Sequence, residues 1–101
     1  MSLDTSIDGN GVININISGR FDFNLYQEFR AAYKQVDNPA GTPFVIDMSG
    51  ADYMDSSALG MLLLLRERAG GDKSNISITG CNSEIKKIFS ISNFERLFDI
   101  S

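Results

Sequence analysis

The sequence predicts one α/β domain built on a mixed sheet of four to five strands, with helices mainly on one face. Two segments alternate strictly: Ile13, Ile15 and Ile17 against Asn14, Asn16 and Ser18, and Ile76 and Ile78 against Asn75, Ser77 and Thr79. Strands alternate in this way when one sheet face is packed and the other is wet. A third run, Phe44-Val45-Ile46-Asp47-Met48, is interrupted only at Asp47 and reads as a strand covered on both faces. Helical spacing fills the intervals before and after that run, which is the order of a sheet joined by helical crossovers.

In chain order, Leu3 to Ile7 is a first strand, and Asp8-Gly9-Asn10-Gly11 is a hairpin turn leading into the second. That turn is no calcium loop, because the glutamate required at the twelfth loop position falls on Gly19. Asn24 and Gln27 have capping-box spacing, and Leu25, Tyr26, Phe29, Ala32, Tyr33 and Val36 follow at helical intervals, so a helix is expected over 24–37. Its aromatic residues read as core. Asp37-Asn38-Pro39-Ala40-Gly41 ends it.

The central strand should close near Met48, with Ser49-Gly50-Ala51-Asp52 as a break and a helix beginning at Ala58. Asp55, Ser56 and Ser57 all stand where an N-cap is needed. From Ala58 to Leu65 the only non-apolar residue is Gly60, and such a run covers every direction around the helix. Leu59, Leu62, Leu63 and the stem of Arg66 are expected to face the core, leaving Met61, Leu64 and Leu65 nearer the rim. Apolar side chains beside a polar edge suit partner binding; the alternative is a neighbouring helix that covers them. Arg66 and Arg68 with Gly70-Gly71 mark the helix end. Ser83 begins a third helix with Ile85, Ile88, Phe89 and Ile91 as its apolar members, and Leu97 to Ile100 is a last, parallel strand.

The Asp55-Ser56-Ser57 turn is the chemically informative place. A helix start carries unpaired N–H groups and partial positive charge, so a phosphate fits there. The plainer reading is that one serine is only a cap, worth about 1 kcal/mol against alanine. Asp55 can cap alone, however, which leaves two hydroxyls beyond what capping requires.

The motif Asp55-Ser56-Ser57-Ala58-Leu59-Gly60 resembles the D-S-[ST]-G-L-G phosphorylation motif of STAS-domain proteins of the anti-sigma factor antagonist type. Gly19-Arg20-Phe21-Asp22 is similar to that family's G-x-[LF]-D segment, and Asn93 to Ile100 to its closing segment, so the resemblance spans nearly the whole chain. It departs at Ala58, where the family usually has glycine. The resemblance implies a STAS domain over residues 1–101 that acts as a phosphorylation-controlled switch. In that reading the unphosphorylated form binds a partner that is both anti-sigma factor and serine protein kinase, which frees a sigma factor. Phosphate on Ser56 blocks binding, and a serine phosphatase restores it. Carried over, the acceptor is Ser56 with Ser57 as alternate, Asp22 lies beside Asp55 and Ser57 around it, and Ala58, Met61, Leu64 and Leu65 contact the partner. The competing expectation is an unphosphorylated STAS interaction subunit of a lipid-transport or signalling complex.

Composition bounds other functions. The chain has 101 residues, 43% hydrophobic and 22% charged, the size of one domain. A net charge of −4 without a basic run argues against nucleic-acid binding. One cysteine, no basic and apolar leader, and no run near the roughly 18 to 20 apolar residues of a membrane span lead to the expectation of a cytoplasmic protein without membrane insertion. There is no histidine for a Ser-His-Asp, Cys-His or imidazole-metal arrangement. Asp22, Asp47, Asp52 and Asp55 evoke a phosphotransfer receiver, but Asp47 comes one residue early. Gly70-Gly71-Asp72-Lys73-Ser74 leads from helix to strand, the reverse of a phosphate loop. No enzyme activity, cofactor or metal is expected.

Overall fold

A computed structural model describes residues 3–101. Five strands lie in sequence order, β1 (Leu3–Ile7), β2 (Ile13–Phe21), β3 (Phe44–Met54), β4 (Ile76–Thr79) and β5 (Asp99–Ile100). β1 runs antiparallel to β2, and every other neighbouring pair is parallel. Three α-helices, α1 (Tyr26–Lys34), α2 (Ser56–Arg68) and α3 (Ser83–Ile91), make the connections.

The alternating isoleucines do what their period requires. Ile13, Ile15 and Ile17 are buried beside Phe44, Ile46 and Met48, and Ile76 and Ile78 continue that layer under the helices. Asn14, Val45, Asp47, Ser77 and Thr79 on the opposite face are only half-buried, and Asn16 is exposed. β3 is therefore covered on one face and not on both, since Val45 and Asp47 stay half-buried where Phe44, Ile46 and Met48 are buried. The hairpin turn is held by the Asp8 carboxylate, which accepts from Asn10 N at 2.8 Å and Val12 N at 3.2 Å.

β3 does not stop near Met48. It continues to Met54 because β2 is long enough to pair with it, Ser18 to Gly50, Gly19 to Ala51, Arg20 to Tyr53 and Phe21 to Met54, through two register shifts. Gly50 allows the close approach, since a Cβ there would lie 3.0 Å from Ser18 Cβ and 3.3 Å from Ile17 O, and Gly19 takes φ +75. The consequence for the site is that both strands end side by side.

Other boundaries moved for local reasons. Asp22, not Asn24, opens the first helical segment by accepting from Asn24 N at 3.0 Å. A 3-10 turn over Phe23–Leu25 precedes α1, which ends at Lys34. α2 begins two residues earlier than expected, at Ser56. The closing segment spends Phe94–Arg96 in a 3-10 turn, where Phe94 stacks between Phe89 and Phe98 at 5.7 and 5.5 Å, so only Asp99 and Ile100 remain for β5.

Gly80 is the tight point between β4 and α3. Its φ is +72, and an added Cβ would lie 2.9 Å from both N and Cβ of Ser49 and 3.1 Å from Asp47 Oδ1. Gly80→Ala is expected to destabilise the domain by about 1–3 kcal/mol, from backbone strain and the clash with β3. A urea unfolding curve unchanged by the substitution contradicts this account. Acid should act through two carboxyls: Asp47 is held below its usual range by the Ser49 backbone N–H and hydroxyl, and Asp8 by the Asn10 and Val12 N–H groups. Both pKa values fall on folding, so their contribution is fully present above 3.8 and is lost as pH falls through the lower folded values. Asp47→Asn should flatten that acid limb of the stability profile, as read by thermal melts between pH 5 and 2.

Candidate functional site

The paired ends of β2 and β3 create the site. Phe21 lies opposite Met54, and Asp55 N donates to Phe21 O at 3.4 Å, so Asp22 and Asp55 leave neighbouring strands together. Asp55 is in extended backbone and its Oδ1 accepts from Ala58 N at 3.2 Å, which makes it the N-cap of α2. Ser56 is the first residue of the helix and is exposed; Ser57 is half-buried. Because Asp55 performs the capping, neither serine hydroxyl is occupied by a hydrogen bond among the described residues. The Ser56 hydroxyl thus sits at the positive end of a thirteen-residue helix, open to solvent.

Asp22 is fixed from two sides. Its Oδ1 accepts from Asn24 N, and its Oδ2 lies 3.4 Å from Arg20 Nε. The Asp22 side chain is 14% exposed and that of Arg20 is 63% exposed. The Arg20 guanidinium carbon also stands 3.9 Å from the centre of the Tyr53 ring, the residue paired with it across the strands. Phe23 is exposed and stacks on Tyr26 with centroids 5.3 Å apart. Arg20 entered the sequence reading only as the unspecified position of the Gly19-Arg20-Phe21-Asp22 segment, and Tyr53 and Phe23 were given no role there. The signal for Arg20 was its position one residue before inward-facing Phe21, but it became usable only once Tyr53 was known to be strand.

α2 faces the sheet differently from the expectation. Ala58, Met61, Leu62, Leu65 and Ala69 are buried, each within three or four positions of the next along one side of the helix. Ala58, Met61 and Leu65 are therefore core residues and cannot form the partner surface assigned to them. Leu64 is exposed as expected, and Leu63, expected in the core, is exposed beside it, while Leu59 is half-buried. The outward stripe runs Ser56, Gly60, Leu63, Leu64 and Glu67. One continuous surface thus joins the free hydroxyl to two leucines.

Among the described residues, no three carboxylate or thiol side chains converge in a way that could hold a metal ion. Asp47 lies in β3 in register with Asn16 and Thr79, away from the end where β2 and β3 finish side by side ahead of Asp22 and Asp55. A groove of about 460 Å³ lies at the opposite end of β2, lined by Thr5, Ile7, Ile13, Ala32 and Val36 among others. No helix among the described residues is long and apolar enough to cross a membrane.

The fold and this strand-end turn define a STAS-type domain. The family model described as "Mlab, STAS domain" matches residues 5–99, and the chain belongs to the STAS-domain family. It is 55% identical over 91 residues to a STAS-domain containing protein of Pseudomonas aeruginosa (strain UCBPP-PA14), covering 88% of this chain and 87% of that protein. Among solved structures it is similar to an anti-sigma factor antagonist from Mycobacterium paratuberculosis, with a TM-score of 0.76, 22% identity, and coverage of 98% of this chain and 85% of that one. It is also similar to the Bacillus cell fate determinant SpoIIAA in its phosphorylated form, with a TM-score of 0.74, 14% identity, and coverage of 98% and 90%.

Proposed function

We propose that this chain is an anti-sigma factor antagonist: a protein-binding switch set by phosphorylation of Ser56. The unphosphorylated form binds a partner that is both anti-sigma factor and serine kinase, so that a sigma factor is released. The observation that carries this reading is the exposed Ser56 hydroxyl, relieved of capping by Asp55 and continuous with the Leu63 and Leu64 stripe. In the kinase step the γ-phosphoryl group of ATP passes to Ser56 Oγ, the bond to ADP breaks and the hydroxyl proton leaves. The partner supplies the catalysis, and a serine phosphatase reverses the modification by hydrolysis. The chain itself is no enzyme in this scheme and works in the cytoplasm.

A phosphate at residue 56 adds about −1.5 to −2 charges next to Asp55 and Asp22, on a surface that must dock. The helix terminus offsets that repulsion by about 0.3–1 kcal/mol, so the effect falls on the interface and not on folding. The likeness in fold to SpoIIAA, an anti-sigma factor antagonist known in phosphorylated and unphosphorylated forms, supports the reading. The test is incubation with ATP and kinases encoded nearby, followed by mass spectrometry. Modification on Ser56 is expected; modification on half-buried Ser57 alone, or none with a kinase that binds the chain, overturns the assignment.

A second reading stands on the family model, whose description names Mlab and no sigma-factor regulator. Here the chain is an unphosphorylated interaction subunit that uses the same leucine stripe. It predicts stable partner binding that is indifferent to ATP and kinase.

A further inference from the structure

We propose that Arg20 is the counter-ion of the switch: phosphate on Ser56 draws its guanidinium from Asp22 and Tyr53, and the modified state is held by that exchange. The inference rests on the phosphoserine reading above. Three observations carry it. Arg20 is placed at the strand ends by its pairing with Tyr53, one pair before Phe21 and Met54, beyond which Asp22, Asp55 and Ser56 follow. Its bond to Asp22 is long, 3.4 Å, and made through Nε alone, while the side chain is 63% exposed. Asp22 does not depend on it, because its other oxygen already accepts from Asn24 N.

A guanidinium bound by one long contact and an aromatic face keeps its remaining N–H donors free for a better acceptor. A phosphate dianion is that acceptor, since it offers three oxygens and about twice the charge of Asp22, and arginine binds it through two parallel hydrogen bonds. Residue 56 follows Asp55 at the N–H end of α2, and Asp22, with Arg20 bonded to it, directly follows the strand paired with the one that leads into that helix; the exchange has the long, exposed Arg20 side chain swing from Asp22 toward this end. Release of Arg20 uncovers the Tyr53 ring and changes the surface on the open sheet side of the turn. Phosphorylation thereby alters two patches, the serine and the Arg20–Tyr53 pair.

The test needs no kinase. Phosphoserine is incorporated at position 56 during translation, and the Arg20 Nε–H resonance is compared with that of the unmodified chain by NMR. A downfield shift and slowed solvent exchange are expected for Arg20 and not for Arg66, which pairs with Asp72 at 3.0 Å. A 31P titration reads the other partner: the second phosphate pKa should be about 0.5 unit higher in Arg20→Gln than in the Arg20 chain, with Arg20→Lys between them. An unmoved Arg20 resonance together with identical 31P titrations overturns the proposal. These readouts are independent of partner binding. If Arg20 responds but no kinase modifies Ser56 and no partner distinguishes the two forms, the switch fails while the ion exchange stands.

Discussion

Leu65→Ala is expected to lower the unfolding free energy by about 2–5 kcal/mol, while its neighbour Leu64→Ala changes it by less than about 0.5 kcal/mol. The two residues are chemically identical and adjacent, yet Leu65 is fully buried and Leu64 is 51% exposed. Removing the Leu65 side chain leaves a cavity between α2 and the sheet, bordered by a core that includes Leu62 and Ile46. For a domain of this size the loss corresponds to a drop in Tm of roughly 10–25 °C. Partner binding should respond in the opposite order. Leu64→Ala should weaken it about tenfold in a folded protein, because the truncation falls on the outward stripe next to Ser56. Equal melting temperatures for the two variants mean that α2 does not turn Leu65 to the sheet and Leu64 to solvent.

The second large effect belongs to Ser56. Under the proposed function, Ser56→Asp is expected to weaken binding of the kinase partner by about ten- to a hundredfold, with melting temperature unchanged within a few degrees. One added anion beside Asp55 and Asp22 corresponds to about 1–3 kcal/mol near a surface. Ser56→Ala should bind as the unmodified chain does and stay bound when ATP and kinase are added. Calorimetry on the purified pair distinguishes these outcomes, and wild-type affinity in Ser56→Asp is the result incompatible with a charge switch. Substitution at Ser56 should leave folding intact because Asp55 supplies the cap. Asp55→Ala, by contrast, should cost about 1 kcal/mol of stability, a loss the serine variants do not share.

The strand-end site was legible to the extent that it depends on local chemistry. Asp55-Ser56-Ser57 announces a capped helix start whatever the rest of the chain does, and the aspartate took the cap. The Asp8-Gly9-Asn10-Gly11 turn and the alternation of Ile13, Ile15 and Ile17 are equally local, and each was found where expected. The length of β3 was not legible, because Ser49-Gly50-Ala51-Asp52 has the composition of a loop and is a strand only through pairing with Ser18 to Phe21. The same hidden pairing concealed Arg20 and Tyr53, which meet across two strands 33 positions apart in number.

The leucine helix divides the two kinds of information most clearly. Its sequence established that Ala58 to Leu65 is apolar all round, and left open whether a partner or a neighbouring helix covers the side chains turned from the sheet. A run of near-identical residues has no phase, so periodicity could not say which. The sheet decided by taking Ala58, Met61, Leu62 and Leu65 into its layer and leaving Leu63 and Leu64 outside. Residue chemistry alone determined the α/β class and a capped turn bearing two serines; the contact between α2 and the sheet decided which leucines stand beside it, because a helix can bury only the face that its partner surface covers.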